Sequence, residues 1–281
     1  MTDNILKWIG GKQTLAGWFV SMMPFHKKYY EVFYGAGNVF NQKEPAQQNI
    51  INDLNKNLIN LWRVIQDEKK MQELCFMLDF ALYSKNMFDE FLQVYKNQYE
   101  WDKLNDVTRA FMYLYLNRTS FNGMFQSYSR VDNGSSLYRL KPIIKKIYQK
   151  FQFAGVVIDN LPFQKFLENI DDEKDVFIYL DPPYWVTLKE KYYEKQMSEA
   201  EHWELRDKLL TYNKTKWMLS YDDVPEIRDM YKGCCIINTP NINQSSANFS
   251  TGNKEKETVY KQELLIANYE LLKENSLFGG H

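Results

Sequence analysis

Short apolar runs that end in polar residues alternate with helix-periodic stretches over much of the chain. The clearest run is 175–184, in which strand-forming residues lead to Asp181, two prolines and Tyr184. This pattern predicts a buried strand of a parallel sheet, which ends at the prolines because they cannot donate to a sheet ladder. Ligands bind at the carboxyl edge of such sheets, so Asp181 and Tyr184 form a candidate site. The alternative is an ordinary strand followed by a stiff turn.

The same alternation continues before and after this run. Further strands are predicted near 29–34, 49–51, 156–159, 216–221, 234–237 and 263–266, and helices near 13–23, 198–210 and 224–231. The last two strands are expected to pair as a hairpin at the sheet edge. Polar residues at 187–196 and 241–253 predict loops, the first of them a candidate mobile loop over the site. The fold class that follows is an α/β sheet.

The middle of the chain has a different character. Apolar residues recur at helical spacing between 54 and 116, without strand-like alternation. About sixty residues of helix is too long for a simple crossover between strands. We therefore expect an inserted helical subdomain over 56–150, and a sheet domain formed by 1–55 and 151–281.

Cations concentrate in the later half of this insertion. Residues 118–150 hold seven Lys and Arg and one Asp, although the whole chain has a net charge of −1. Cations can bind phosphates, amides can bind base edges, and aromatic rings can stack on bases or wedge between them. The combination predicts a nucleic-acid surface. A solvated helix face is the alternative. The residues are Arg118, Arg130, Arg139, Lys141, Lys145, Lys146 and Lys150, with Asn117, Asn122, Gln126, Asn133, Phe121, Phe125, Tyr128 and Tyr138 between them.

A glycine turn follows the strand near 29–34. Gly35 and Gly37 allow a ligand to approach the backbone closely, although the third glycine of the dinucleotide fingerprint is missing. Asp53, at the tip of the next strand, can accept both hydroxyls of a ribose; taken alone, it could instead be a helix N-cap. Lys12, which follows two glycines, adds a cation near the N-terminus; the alternative is a surface turn before a helix. The glycine turn and Asp53 together favour a nucleoside-containing cofactor.

Several classes of protein are disfavoured. The three histidines are scattered and the three cysteines form no disulfide framework, so neither a metal site nor an oxidising compartment is expected. The chain lacks a charged-then-apolar leader and a run of 18 apolar residues. We expect a cytoplasmic protein that does not use a membrane.

The motifs, taken in series, resemble those of the Dam-like DNA adenine methyltransferases over nearly the whole chain. They are K-W-x-G-G-K at 7–12, F-Y-G-A-G at 33–37, N-D-x-N at 52–55, L-N-R-x-x-F-N-G at 116–123, D-P-P-Y at 181–184, L-S-Y-D-D at 219–223 and E-L-L-I at 263–266. The resemblance implies a Rossmann-like methyltransferase sheet with an antiparallel last strand. It also implies that the helical insertion recognises the DNA target.

The resemblance further implies a methyl donor, S-adenosylmethionine (AdoMet), and roles for individual residues. By position, Lys12 matches a family residue that suits binding of the methionyl carboxylate. Asp53 matches a family residue that binds the ribose hydroxyls. Phe33 is expected to pack near the cofactor. The residues expected to contact the cofactor are Trp8, Lys12, Phe33, Gly35, Gly37, Asp53 and Asp181, and those expected to contact double-stranded DNA are Arg118, Asn122, Gln126, Arg130 and Arg139.

The implied reaction places a methyl group on the N6 amino nitrogen of adenine. Asp181 and the Pro182 carbonyl would accept the two N–H bonds, and Tyr184 would stack on a base rotated out of the duplex. Gln126 stands where Dam itself has an arginine, so no recognition sequence is predicted. A regulator that binds DNA without turnover and a methyltransferase acting on RNA are the alternatives.

Overall fold

The computed structural model describes residues 4–7, 12–129, 137–185, 196–240, 242–243, 260–261 and 263–271. Most of the expected strands lie within one residue or two of their predicted bounds. The strands are β1 (Lys28–Glu31), β2 (Gln48–Asn52), β3 (Val156–Asp159), β4 (Val176–Leu180), β5 (Lys216–Asp222), β6 (Cys235–Asn238), β7 (Ile242–Asn243), β8 (Tyr260–Lys261) and β9 (Glu263–Ala267).

The helices come in one long series between β2 and β3 and in shorter pieces elsewhere. They are α1 (Ala16–Ser21), α2 (Asn38–Gln42), α3 (Lys56–Gln66), α4 (Glu68–Phe80), α5 (Lys85–Lys96), α6 (Gln98–Lys103), α7 (Asp106–Thr119), α8 (Leu140–Ala154), α9 (Phe163–Glu168), α10 (Glu199–Leu210) and α11 (Pro225–Met230). Single turns of 3₁₀ helix lie at Phe121–Gly123 and Leu137–Arg139. The helical stretch predicted after residue 54 is therefore confirmed.

Seven strands form one sheet in the order β3-β2-β1-β4-β5-β9-β6. The first five pair in parallel, while β9 runs antiparallel between β5 and β6. The strand order reverses between β1 and β4, as in Rossmann-type sheets, where the ligand crevice lies outside the carboxyl ends at this reversal. The α/β class and the antiparallel last strand are confirmed, as is the pairing of the last two strands of the sheet at its edge.

Helices cover both faces of the sheet, which explains why β4 is buried along its whole length. Alternate residues of β4 point to opposite faces. Phe177 and Tyr179 pack into a core shared with α3, α4, α7 and α8. Val176, Ile178 and Leu180 pack against α9, α10 and α11 on the other face. The helices between β2 and β3 thus share one hydrophobic core with the sheet, and the division into two domains at 56–150 stays a prediction.

Two details differ from the sequence-based expectation. The helix expected at 13–23 is confined to Ala16–Ser21. The segment 241–253, expected as a loop, contains β7, which pairs antiparallel with β8. Two-residue strands are too short for periodicity to reveal, because only their hydrogen bonding to each other defines them. The candidate mobile loop at 187–196 lies outside the described residues except for Gln196.

Candidate active site

The carboxyl ends of adjacent parallel strands bring the predicted site residues to one edge of the sheet. Asp181 follows β4 directly, and Phe33 follows β1, which is hydrogen-bonded to β4 with Glu31 opposite Tyr179. Asp53 follows β2, the next strand in the sheet. This edge lies at the reversal of strand order, so the fold places these side chains where α/β sheets bind ligands.

Lys12 is the central cation of this edge. Its Nζ lies 3.0 Å from Asp181 Oδ1 and 3.0 Å from Glu263 Oε2, and the residue is 4% exposed. Burial alone would lower the pKa of Lys12, but the two carboxylates raise it above its ordinary value. Lys12 is therefore held as a cation between two acids that come from different strands.

Asp181 also accepts a hydrogen bond from Ser220 Oγ on β5, at 2.8 Å. Burial raises the pKa of the Asp181 carboxyl, and the negative charge of Glu263 adds to this, whereas Lys12 and Ser220 lower it. Together these effects raise the pKa of Asp181 above its ordinary value. The carboxylate thus depends on Lys12 and Ser220 to stay ionised in a buried setting.

The ring of Tyr184 lies beside this group. Lys12 Nζ contacts its hydroxyl and lies 4.5 Å from the ring centroid. Tyr184 also packs against Tyr221, with ring centroids 6.0 Å apart, and His202 contacts the Tyr221 hydroxyl in turn. These contacts fix the aromatic ring next to the Asp181 carboxylate.

The glycine turn and Asp53 are joined by hydrogen bonds. Gly35 N donates to Asp53 Oδ2 at 2.8 Å, and Asn55 N donates to Oδ1 at 2.9 Å. Gly37 has φ +70°, and a Cβ there would lie 2.4 Å from the Tyr34 hydroxyl, so only glycine fits. Burial raises the pKa of Asp53, and the backbone hydrogen bonds oppose this.

Asp53 does not cap α3, which excludes the alternative reading of this residue. The side chain of Asn55 is the N-cap, accepting from Asn57 N at 3.0 Å and from Leu58 N at 3.1 Å. Phe33 is half-buried, with its ring 5.9 Å from that of Phe163. Trp8 and Arg130 lie outside the described residues.

Three residues of this edge were missed by the sequence reasoning. Glu263 is part of the E-L-L-I motif, but only the antiparallel insertion of β9 brings it to Lys12. Ser220 reaches Asp181 from β5. Glu31, at the end of β1, is 2% exposed and accepts from Tyr29 Oη at 2.8 Å. A charged residue inside an apolar strand was the available signal for Glu31.

The predicted DNA-contacting residues group around the end of α7. Arg118 is half-buried in its last turn, and Asn122 and Gln126 are exposed on the turn that follows. Backbone hydrogen bonds from Phe121 N to Ser127 O and from Ser129 N to Thr119 O close residues 119–129 into one turn. We call this segment the 119–129 turn. Arg139 is exposed at the start of α8, with its guanidinium 5.8 Å from the Tyr138 ring.

Several residues expected at this surface instead contact other parts of the protein. Asn117 is 2% exposed and hydrogen-bonds to the backbone of Lys7. Lys141 pairs with Asp79, and Lys150 donates to the carbonyls of Asn41 and Lys43. The rings of Phe125 and Tyr128 pack against other aromatic rings, whereas Phe121 and Tyr138 are exposed. Composition alone cannot tell these internally paired residues from those that are available at the surface.

Comparison with known proteins shows the family of this chain. Residues 8–247 match the family of D12 class N6 adenine-specific DNA methyltransferases. The chain belongs to this family and is an adenine-specific DNA methyltransferase by membership, which confirms the resemblance seen in its motifs.

Two relatives illustrate the match. The chain is 27% identical to the Type II methyltransferase M1.LlaDCHI of Lactococcus lactis subsp. cremoris, with 94% of each chain covered. It is 28% identical to the DNA adenine methylase of Haemophilus influenzae over 81% of this chain and 82% of that one.

Among solved structures, the rRNA methyltransferase aviRa from Streptomyces viridochromogenes aligns with 88% of this chain and 79% of its own, at 7% identity and a TM-score of 0.40. The fold assignment rests on the strand order, not on this distant likeness.

Two kinds of feature are absent from the part of the chain that the structure describes. No group of three or more His, Cys, Asp or Glu side chains in the described ranges is arranged to hold a metal ion. Within the same part of the chain, no helix has both the length and the apolar character needed to cross a membrane.

Proposed function

We propose that this protein transfers the methyl group of AdoMet to the N6 amino nitrogen of adenine at a defined sequence in duplex DNA. The observation that best supports this is the Asp181 carboxylate at the end of β4, held beside the Tyr184 ring and 3.0 Å from Lys12 Nζ. Family membership gives the reaction class and DNA as the substrate. The methyl donor, the duplex, base rotation and the residue roles are parts of the proposal.

The donor set at the glycine turn fits AdoMet. Lys12 Nζ contacts Asp181, Glu263 and the Tyr184 hydroxyl, so it would bind the methionyl carboxylate by exchanging one of these partners. The Asp53 carboxylate can accept from ribose hydroxyls in addition to its two backbone donors, because each oxygen has two lone pairs. Gly35 is proposed to let the cofactor approach the backbone closely, and Gly37 holds the turn at φ +70° against the Tyr34 side chain. Phe33 offers an aromatic face to a sulfonium cation. When bound, AdoMet supplies the electrophilic methyl group. Trp8 is proposed as a cofactor contact from the motif alone.

Asp181 and Pro182 would prepare the adenine. The lone pair of the amino nitrogen is delocalised into the ring, so the nitrogen is a poor nucleophile. Hydrogen bonds from its two N–H groups to the Asp181 carboxylate and the Pro182 carbonyl localise that lone pair. Within the described residues, Asp181 is contacted through Oδ1, and its side chain is 23% exposed, so Oδ2 can accept from a substrate.

Tyr184 would hold the base in place for transfer. Enzymes that act on a base in a duplex rotate it out of the stack, and an aromatic ring beside the acceptor groups gives it a new stacking partner. The contacts of Tyr184 with Lys12 and Tyr221 fix that ring before the base arrives. Catalysis then consists mainly of aligning the nitrogen with the methyl carbon.

The 119–129 turn and the start of α8 would contact the DNA. Arg118, Arg130 and Arg139 are proposed to contact phosphates, which position the duplex. The exposed amides of Asn122 and Gln126 are proposed to contact base edges, where sequence is read. The helical insertion at 56–150 is thus proposed as the target-recognition part.

The proposal is tested with the purified protein, AdoMet carrying a labelled methyl group, and genomic duplex DNA. We expect label in N6-methyladenine after digestion to nucleosides, and methylation-sensitive sequencing of DNA from expressing cells should show one short sequence motif. Adding an excess of RNA of the same sequences should leave the DNA signal unchanged. Label in another nucleoside, methylation without a sequence motif, or preferential labelling of RNA would contradict the proposal.

A further inference from the structure

The side chain of Asn117 pairs with both backbone polar groups of Lys7, which is 110 positions away in the sequence. Lys7 N donates to Asn117 Oδ1 at 2.7 Å, and Asn117 Nδ2 donates to Lys7 O at 2.9 Å. The same Nδ2 lies 3.4 Å from Gly123 O. Asn117 is 2% exposed, so its amide is buried and hydrogen-bonded, and it links two distant segments.

A second set of contacts joins the same two segments. Lys7 Nζ donates to Ser120 O at 3.1 Å, and Ser120 Oγ donates to Asn117 O at 3.2 Å. The backbone of Gly123 lies directly against residue 7, since a Cβ at Gly123 would be 2.4 Å from Lys7 O. Gly123 also has φ +73°, which favours glycine independently. The N-terminal segment and the 119–129 turn are therefore packed backbone against backbone.

The two joined segments lead to the two halves of the proposed reaction. Five positions after Lys7 the chain reaches Lys12, whose Nζ contacts Asp181 and Glu263. The 119–129 turn carries Asn122 and Gln126, the proposed base contacts. If DNA displaces the turn, the contacts of Lys7 with Asn117, Ser120 and Gly123 are disturbed, and Lys7 is separated from Lys12 by only four positions of the chain.

We propose that Asn117 is a positioning residue that couples the DNA-contacting turn to the methyl-donor site, so that each ligand strengthens binding of the other. This inference rests on the proposed function for the identity of the two ligands. Coupling of this kind is reciprocal, so the factor by which one ligand changes the affinity for the other must be the same in both directions.

The test compares Asn117→Asp with the unmodified protein. Aspartate keeps the acceptor for Lys7 N but places an oxygen, instead of a donor, against Lys7 O and Gly123 O. The probes are S-adenosylhomocysteine, which cannot react, and a short duplex containing the sequence that the protein methylates. In the unmodified protein we expect S-adenosylhomocysteine to tighten duplex binding by about five-fold or more. In the variant that factor should fall towards one.

Asn49→Asp is the matched control. Asn49 is also buried, and its amide bridges the backbone of Ala46 and the carbonyl of Ala154. Asn49 lies near the amino end of β2, whereas the site lies at the carboxyl ends of the strands. This control should lose thermal stability in the same way and keep the coupling factor. A merely structural role for Asn117 would make the two variants behave alike.

Two further measurements keep the inference falsifiable if Asn117→Asp does not fold. Gly123→Ala disturbs the same contact from the other side and should also lower the coupling factor. In the unmodified protein, DNA alone should slow hydrogen exchange of the Lys7 amide. An unmodified coupling factor near one, an unchanged factor in both folded variants, or unchanged exchange at Lys7 would overturn the inference. Failure of the proposed function would instead appear as no methyl transfer by the unmodified protein.

Discussion

Lys12 Nζ lies 3.0 Å from Glu263 Oε2, so an acid from the antiparallel strand β9 enters the site formed by the parallel strands. With Asp181, the group has two carboxylates and one ammonium, all close to the proposed methyl transfer. Its formal charge is therefore −1. Such a charge favours a cationic ligand over a neutral one, because the interaction takes place in a largely buried setting.

Glu263→Gln should lower the affinity for AdoMet about ten-fold, or about 1.4 kcal/mol, and change that for S-adenosylhomocysteine much less. The donor carries a sulfonium charge that the product lacks, and the substitution makes the group neutral. Titration calorimetry with each nucleoside measures the difference. Glu173→Gln, which breaks the exposed pair with Lys28, is the control. Equal losses for both nucleosides would show that Glu263 does not act through its charge.

Glu31→Gln should flatten the dependence of stability on pH. Burial raises the pKa of Glu31 to about 8 from an ordinary value of 4.5. Between these values the folded carboxyl keeps a proton that the unfolded one loses, so its contribution to stability falls as the pH rises, by up to about 1.4 kcal/mol per pH unit. Chemical denaturation at several pH values across this window measures the slope. The exposed neighbour Glu44→Gln should keep the original slope, and an unchanged slope in Glu31→Gln would contradict the assignment.

Gly37→Ala should destabilise the protein and weaken AdoMet binding. The new Cβ would meet the hydroxyl and Cζ of Tyr34, at 2.4 Å and 2.6 Å, in addition to the cost of φ +70°. Gly155→Ala is the matched control, because its φ is +54° with nothing within 4 Å of the new Cβ. That control should lose only the conformational term of about 1–2 kcal/mol. Thermal melts and titrations with AdoMet measure the stability and the cofactor affinity of both variants. Equal effects in the two variants would mean that the Tyr34 contact is unimportant.

Arg139→Ala should weaken DNA binding and leave AdoMet binding unchanged. Removing one phosphate contact reduces the slope of log affinity against log salt concentration by about 1. The matched control is Arg206→Ala on the other face of the sheet, where the guanidinium lies 5.5 Å from the Trp203 ring. Binding isotherms at several salt concentrations give both slopes. If Arg206→Ala changes the slope as much, the DNA surface has been placed wrongly.

The sequence predicted those features that depend on neighbours along the chain. The burial of β4, the acid at its end and the glycine turn all follow from local patterns. The role of Glu263 could not be predicted from local patterns, because Glu263 is far from Lys12 in sequence. It depends on the insertion of β9 between β5 and β6. Periodicity also cannot tell a buried amide from an exposed one: Asn117 and Asn122 lie on either side of the end of α7, yet only Asn122 is exposed.

The most direct test of the central claim is the rate of labelled methyl transfer to DNA by Asp181→Ala, with Asp175→Ala measured beside it. The two aspartates flank β4, and each pairs with a lysine, but Asp175 lies at the amino end of the strand and pairs with Lys27. We predict that Asp181→Ala folds and binds DNA but loses methyl transfer, while Asp175→Ala transfers at the full rate. Full-rate transfer by folded Asp181→Ala would contradict the account.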